Sequence, residues 1–210
     1  MKPNNRRPML LLVSSQHCPH CKRLHTLLES DALRPLYQSL SVKFIESNPE
    51  LAKQYHIRSA PWLQIDKFEL TGALNETELR DWLARAQTSG GMRAYLSHLF
   101  LTGQLNFTID YVHRHPECFS DLVDLMADAE TPLQVRIGIT AVFEHFEGDA
   151  ILQHAWGSLV NRVYQESDSV RADLVYLIAL IKTAESQKFL LTFQNDPSLE
   201  VRDIVIDAQS

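Results

Sequence analysis

The chain has 210 residues, of which 45% are hydrophobic and 22% charged, and its formal net charge is −6 at pH 7. This composition excludes a collagen-like or wholly disordered chain, and no apolar run approaches the roughly 18 residues of a membrane span. We therefore expect a soluble globular protein with no membrane partner. The first apolar run, residues 9–13, is too short for the core of a signal peptide, which favours a cytoplasmic location.

The first 88 residues alternate between short apolar runs and helical patterns. Residues 9–13 predict a buried strand, and residues 18–29 predict a helix with Pro19 at its favoured first position. Further elements are predicted downstream: a strand at 42–45, a short helix at 49–55, and the two strands of a hairpin at 62–65 and 68–71. Asn75 and Glu78 have the spacing of a capping box at the start of a last helix. The order βαβαββα predicts an α/β domain, a compact sheet with helices on its faces.

A small, polar stretch with paired glycines at residues 87–91 interrupts these patterns. We place the domain junction there, which gives domains of residues 1–88 and 89–210. The first carries a net charge of +3 and the second −9. Because nucleic-acid surfaces depend on clustered Lys and Arg, the acidic half argues against a nucleic-acid partner and favours protein partners.

After this stretch the apolar residues follow helical spacing with no convincing strand, so we expect an all-α second half. Three segments, 131–136, 167–171 and 196–202, each end in Val-Arg, and apolar residues follow each valine four and seven positions later. Their spacing leaves room for second helices such as 151–164 and 185–193. The pattern resembles HEAT-like repeats over about residues 117–208. This resemblance implies a helical-repeat scaffold rather than a catalyst.

The candidate reactive groups are Cys18 and Cys21, three positions apart at the predicted strand-to-helix turn. Unpaired N–H groups and the positive end of a helix stabilise a thiolate at its start, so Cys18 is the predicted nucleophile. Cys21 shares one helix face with Leu24 and Leu28, so we expect it to be more buried and to resolve the mixed disulfide formed at Cys18. Pro19 fixes the first turn of the helix.

Histidines around the cysteines leave two interpretations open. His20 lies between the cysteines, where a donor or positive charge stabilises the thiolate and makes the disulfide more oxidising. The alternative is a metal site that adds His17 and His25, because thiolates and imidazoles at short spacing suit zinc or copper. Redox chemistry is favoured over it because one short cluster offers ligands without a second pair. We predict neither a metal nor a cofactor.

The tetrapeptide Cys18-Pro19-His20-Cys21 is the active-site motif of DsbA-type oxidoreductases, and residues 47–49, 55–61 and 71–74 look like the corresponding thioredoxin segments. The resemblance covers roughly residues 8–86 and implies a thioredoxin-like fold. It also implies that Pro61 is the cis-proline facing the dithiol, and that Ala60 offers backbone groups to an extended substrate strand. Trp62 is a candidate for flanking the substrate groove, with an ordinary core position as the alternative.

Two positions depart from the thioredoxin pattern. His17 stands where thioredoxins usually have tryptophan, which makes it a further candidate for substrate contact. Leu12 occupies the place of their buried acid. Proton transfer at Cys21 would therefore depend on water or on Glu46.

These features predict a thiol–disulfide oxidoreductase that exchanges disulfides with protein substrates through Cys18 and Cys21, in either direction. The helical domain would bind a client or partner. One alternative is a redox-switched, chaperone-like adaptor or scaffold with little turnover. Another is a helical domain that only stabilises the enzyme.

Overall fold

The computed structural model describes residues 6–164 and 167–209. The chain forms two compact units that divide between Met92 and Arg93. Residues 1–5, 165–166 and 210 lie outside the described residues. The helical pattern predicted for the second half includes residues 165–166 and Ser210.

The first unit contains a sheet with the strand order β2-β1-β3-β4. Its strands are β1 (Met9–Ser14), β2 (Ser39–Phe44), β3 (Trp62–Ile65) and β4 (Phe68–Thr71). Strand β1 is parallel to β2 and antiparallel to β3, which is antiparallel to β4. The helices are α1 (Pro19–Leu28), α2 (Pro49–Gln54) and α3 (Glu76–Arg85), with a 3₁₀ turn at Arg34–Leu36. The predicted α/β order and the predicted hairpin strands are confirmed.

Strand β2 begins three residues before the predicted strand at 42–45. Among the described strands it pairs only with β1, at one edge of the sheet. Ser39 and Ser41 are exposed and alternate with the half-buried Leu40 and Val42. The serines interrupt the apolar run that a buried strand would show, and alternation of this kind is typical of a strand with one face turned to solvent.

Helices α1 and α3 contribute to the core of the first unit. The predicted helix face is confirmed, since Cys21, Leu24 and Leu28 are at most 1% exposed. The Asn75–Glu78 capping box is also present: Asn75 accepts from the Glu78 N–H at 3.0 Å, and the Glu78 carboxylate accepts from the Asn75 N–H at 2.8 Å. The capping box holds the start of α3 in place after the hairpin.

The second unit is helical throughout its described residues. Its helices, of which the first begins two residues before the division, are α4 (Gly91–Leu101), α5 (Leu105–Arg114), α6 (Phe119–Ala127), α7 (Leu133–His145), α8 (Gln153–Arg162), α9 (Asp168–Ala179), α10 (Ala184–Leu190) and α11 (Leu199–Asp207). None of the helices in the described part of the chain is both long and apolar enough to cross a membrane.

The three Val-Arg pairs begin α7, α9 and α11 in the same way. Their valines, Val135, Val170 and Val201, are at most 4% exposed. Each arginine binds a turn or a neighbouring helix. Arg136 pairs with Asp173 of α9, Arg171 pairs with Asp196 before α11 at 2.9 Å, and Arg202 donates to the Asp196 carbonyl at 2.6 Å. The first two arginines therefore join α7 to α9 and α9 to the turn before α11, and the third binds that same turn.

Candidate functional site at the start of helix α1

Cys18 occupies the turn between β1 and α1. It is the N-cap of the helix, in an extended conformation with φ −92° and ψ 111°, and Pro19 follows as the first helical residue. The backbone N–H of Cys21 donates to the Cys18 sulfur at 3.1 Å. Cys18 is half-buried whereas Cys21 is buried, and both are free thiols. The Cys18 sulfur is thus accessible and accepts a hydrogen bond at the start of the helix, whereas the Cys21 sulfur is buried.

The environment of Cys21 favours its neutral thiol. Burial is the largest cause that raises the pKa of Cys21, followed by its hydrogen bond with Cys18. Hydrogen bonds from the Ser15 backbone and the Ser14 hydroxyl act in the opposite direction and lower this pKa. The Cys21 thiol therefore releases its proton less readily than an ordinary cysteine.

Ser14 was missed by the sequence reasoning. It is only 5% exposed and lies at the end of β1, two and four residues after the buried Leu12 and Leu10. Since successive side chains of a strand alternate between faces, these three residues share one face of the sheet. A polar residue on an otherwise apolar buried face was the signal that could have identified it.

The loop before β3 brings Ala60 to the dithiol. The Ala60–Pro61 peptide bond is cis, and Pro61 is buried. The Cys18 sulfur lies 3.9 Å from the Ala60 carbonyl oxygen. The Pro61 carbonyl in turn accepts from the Gly72 N–H at 3.0 Å, which ties this loop to the end of β4. A residue 42 positions further along the chain thereby lies beside the Cys18 sulfur.

Glu46 binds residues beside the dithiol rather than the cysteines themselves. Its carboxylate accepts from the Ser15 hydroxyl at 2.6 Å and from the Gln16 N–H at 3.1 Å. The Ser15 hydrogen bond is the main cause that lowers the pKa of Glu46, with a small contribution from His17. An ionised, exposed carboxylate held in this way orders the turn before Cys18.

The remaining predicted site residues differ in exposure. His17 and His20 are exposed near the cysteines, where an approaching protein can touch them. Trp62 is only 1% exposed, and its ring lies 5.0 Å from the Tyr55 ring. This burial favours the core interpretation of Trp62 over contact with a substrate.

The described residues contain no group of three or more His, Cys, Asp or Glu side chains arranged to hold a metal ion. The third cysteine, Cys118, is buried in the second unit at 1% exposure.

Comparison with known proteins agrees with the architecture of the first unit. The family described as the thioredoxin domain matches residues 9–84, a span that runs from β1 to α3. The N-terminal unit therefore has a thioredoxin-like fold, with a mixed four-stranded sheet and helices, and an all-helical unit follows it. A search of curated proteins found no match to this chain.

Proposed function

We propose that this chain is a thiol–disulfide oxidoreductase that exchanges disulfides with protein substrates through Cys18 and Cys21. The observation that carries the proposal is the placement of the Cys18 sulfur. It accepts a hydrogen bond from the Cys21 N–H at the start of α1 and lies 3.9 Å from the Ala60 carbonyl of the cis-proline loop. A half-buried sulfur at this position can be reached by a substrate strand that runs beside Ala60.

The reaction balances as two successive exchanges. The Cys18 thiolate attacks one sulfur of a substrate disulfide, which breaks that bond, releases one substrate thiolate and leaves a mixed disulfide at Cys18. The Cys21 thiolate then attacks the Cys18 sulfur, so that the second substrate thiol leaves and the protein disulfide forms. The substrate gains two electrons and the dithiol loses them. The reverse sequence oxidises a substrate dithiol, and a low-molecular-weight thiol or disulfide would recycle the protein.

The second unit is proposed to be a HEAT-like scaffold that binds a protein client. Residues 89–210 carry a net charge of −9. Leu133 and Ile137, one turn apart on α7, are 72% and 60% exposed, an apolar surface of the type used in protein contacts. The cytoplasmic location expected from the sequence stays a prediction.

The first test is equilibration of the protein in glutathione buffers of graded potential, followed by denaturation, alkylation and mass spectrometry. The chain has three cysteines, so the reduced form takes three alkyl groups and the Cys18–Cys21 disulfide form takes one. We expect a single two-electron transition in the wild type. The Cys21→Ser variant cannot form the Cys18–Cys21 disulfide and should therefore show no such transition. A midpoint of about −270 mV would indicate a reductase, and one of about −120 mV an oxidase.

Two results would contradict the proposal. One is a protein that keeps three alkylatable thiols in every buffer, and the other is thiols that become alkylatable only after a chelator is added. Turnover of a disulfide-linked fluorescent peptide separates the enzyme from a redox-switched adaptor. The enzyme turns the peptide over repeatedly and loses this activity in Cys18→Ser, whereas the adaptor binds clients according to its redox state with little turnover.

A further inference from the structure

A cleft of about 760 Å³ runs beside α1 and the segment that leads into α3. On the α1 side its lining follows one flank of the helix and includes Pro19, Lys22, Arg23 and Leu27; the opposite side includes Leu74 and Glu76. Pro19 directly follows Cys18, and the other wall begins just after Gly72, whose N–H binds the Pro61 carbonyl. One wall therefore begins next to Cys18 in the sequence, and the other begins next to the glycine that is bonded to the cis-proline loop.

The cleft combines an apolar floor with a positive rim. Leu24 lies at its base at 1% exposure, and Leu27 and Leu74 are half-buried along its walls. Lys22 and Arg23 are exposed, and among the described residues neither has a carboxylate partner.

The acidic residue on the opposite wall does not neutralise this rim. Glu76 is already paired with Arg80, whose Nε and Nη2 lie 2.9 and 2.8 Å from its Oε1. The unpaired charge on the rim is positive.

We propose that this cleft is the subsite that selects the substrate polypeptide, and that it takes a segment carrying an apolar side chain and an acidic side chain close to the substrate cysteine. The inference rests on the proposed dithiol exchange. The apolar side chain would cover Leu27 and Leu74, and the carboxylate would pair with Lys22 or Arg23. Glycine-rich or basic segments lack this complementarity.

The length of the cleft limits where these side chains can lie. The ten residues of α1 extend over about 15 Å at 1.5 Å per residue. An extended chain advances about 3.3 Å per residue, so a segment of about four or five residues spans this flank. The selected residues should therefore lie within about five positions of the cysteine.

The test uses three synthetic disulfide-linked peptides that differ only in two residues near the cysteine: leucine and glutamate, leucine and lysine, or glycine and glutamate. Stopped-flow fluorescence measures the second-order rate of attack by the reduced protein. Each rate is divided by the rate with the neutral reagent 2,2′-dithiodipyridine, which corrects for the intrinsic reactivity of Cys18. Because an attractive exposed charge pair in the Leu/Glu peptide becomes a repulsive one in the Leu/Lys peptide, we expect the Leu/Glu peptide to react about fivefold faster or more.

Matched charge reversals show whether the cleft causes this preference. Lys22→Glu with Arg23→Glu should reverse the order of the Leu/Glu and Leu/Lys peptides. The control is Lys43→Glu with Lys53→Glu, at exposed positions of β2 and α2. It changes the net charge by the same amount and should preserve the order in which the two peptides react. Leu27→Ala should reduce the advantage of the leucine peptide over the glycine peptide.

The inference is overturned if the three peptides react within twofold of one another, or if both double variants change the order equally. A wild-type protein that reacts with the neutral reagent but shows no preference leaves the dithiol function standing and removes the subsite. A protein that fails to react even with the neutral reagent removes the proposed function, and the subsite with it.

Discussion

The backbone N–H of Cys21 donates a hydrogen bond to the Cys18 sulfur over 3.1 Å. One helical turn therefore supplies the donor that stabilises charge on the accessible sulfur and also buries the second sulfur. Under the proposed exchange, this asymmetry predicts different steps for the two cysteines, which single substitutions can test.

We expect Cys21→Ser to attack a disulfide peptide through Cys18 and then to accumulate as the mixed disulfide, because no second thiol can displace the peptide. Cys18→Ser should form almost no adduct, since Cys21 is fully buried. Intact-mass spectrometry after an acid quench measures both adducts. Equal adduct formation by the two variants would contradict the assignment of Cys18 as nucleophile.

Ser14→Ala should slow the release of the mixed disulfide. The Ser14 hydroxyl lowers the pKa of Cys21, so its loss raises that pKa further and reduces the thiolate fraction at neutral pH. Because one hydrogen bond to a charged group is lost, we expect the release rate to decrease by up to about tenfold. Below the pKa of Cys21 the rate should rise with pH, and in the variant this rise should continue to higher pH.

Rapid-mixing measurement of fluorescent peptide release from pH 6 to pH 10 checks the Ser14 prediction. Ser41→Ala is the control, because Ser41 is exposed on the edge strand β2. If Ser14→Ala and Ser41→Ala have the same pH profile as the wild type, Ser14 has no part in proton transfer.

Asp196→Asn should destabilise the helical unit. Asp196 receives two hydrogen bonds of 2.9 Å from Arg171, and the two side chains are 8% and 13% exposed. Because hydrogen bonds to charged groups contribute about 1.5–3 kcal/mol, we expect a decrease of about that size in the free energy of unfolding at pH 7. Asp168→Asn is the control, since Asp168 pairs with the same arginine but is 73% exposed, and it should cost about 1 kcal/mol or less.

The same ion pair predicts a pH dependence with a definite sign. The hydrogen bond from Arg171 is the main cause that lowers the pKa of Asp196 below its ordinary value. Its contribution to stability is therefore complete above the unfolded pKa, about 3.9, and is lost as pH falls through the lower folded pKa. Urea unfolding between pH 7 and pH 2 should show a smaller loss of stability on acidification in Asp196→Asn than in the wild type. Equal losses would show that another group dominates.

Two glycines of the helical unit should respond to alanine in opposite directions. A Cβ atom at Gly138 in α7 would lie 2.3 Å from the ring of Phe100, so Gly138→Ala should destabilise by about 1–3 kcal/mol through overpacking. A Cβ atom at Gly157 in α8 meets nothing within 4 Å, and Gly157→Ala should stabilise by up to about 1 kcal/mol because alanine favours the helix. Thermal and urea unfolding measure both changes, and a shift of the same sign in both variants would contradict this packing.

The local sequence pattern was sufficient to predict those features in which a residue's environment depends only on the strand or helix that contains it. The hairpin strands have their predicted bounds, the capping box is present, and Cys21 lies on the buried face of α1. Each of these depends on spacings of two to seven residues, which a single strand or helix imposes on its sequence. The start of β2 was missed because its exposure depends on its place at the edge of the sheet.

The sequence by itself determined the α/β order of the first unit, the helical character of the second and the identity of the candidate dithiol, because periodicity and a strand-to-helix turn are local properties of the chain. Only the tertiary structure decided which groups surround the sulfurs. Ala60 reaches Cys18 through the pairing of β1 with β3, and Ser14 reaches Cys21 because α1 packs on that face of β1. The cleft beside α1 likewise needs the segment before α3, more than 40 residues further along the chain. Contacts across such separations depend on how the elements pack together, and no spacing within one element encodes them.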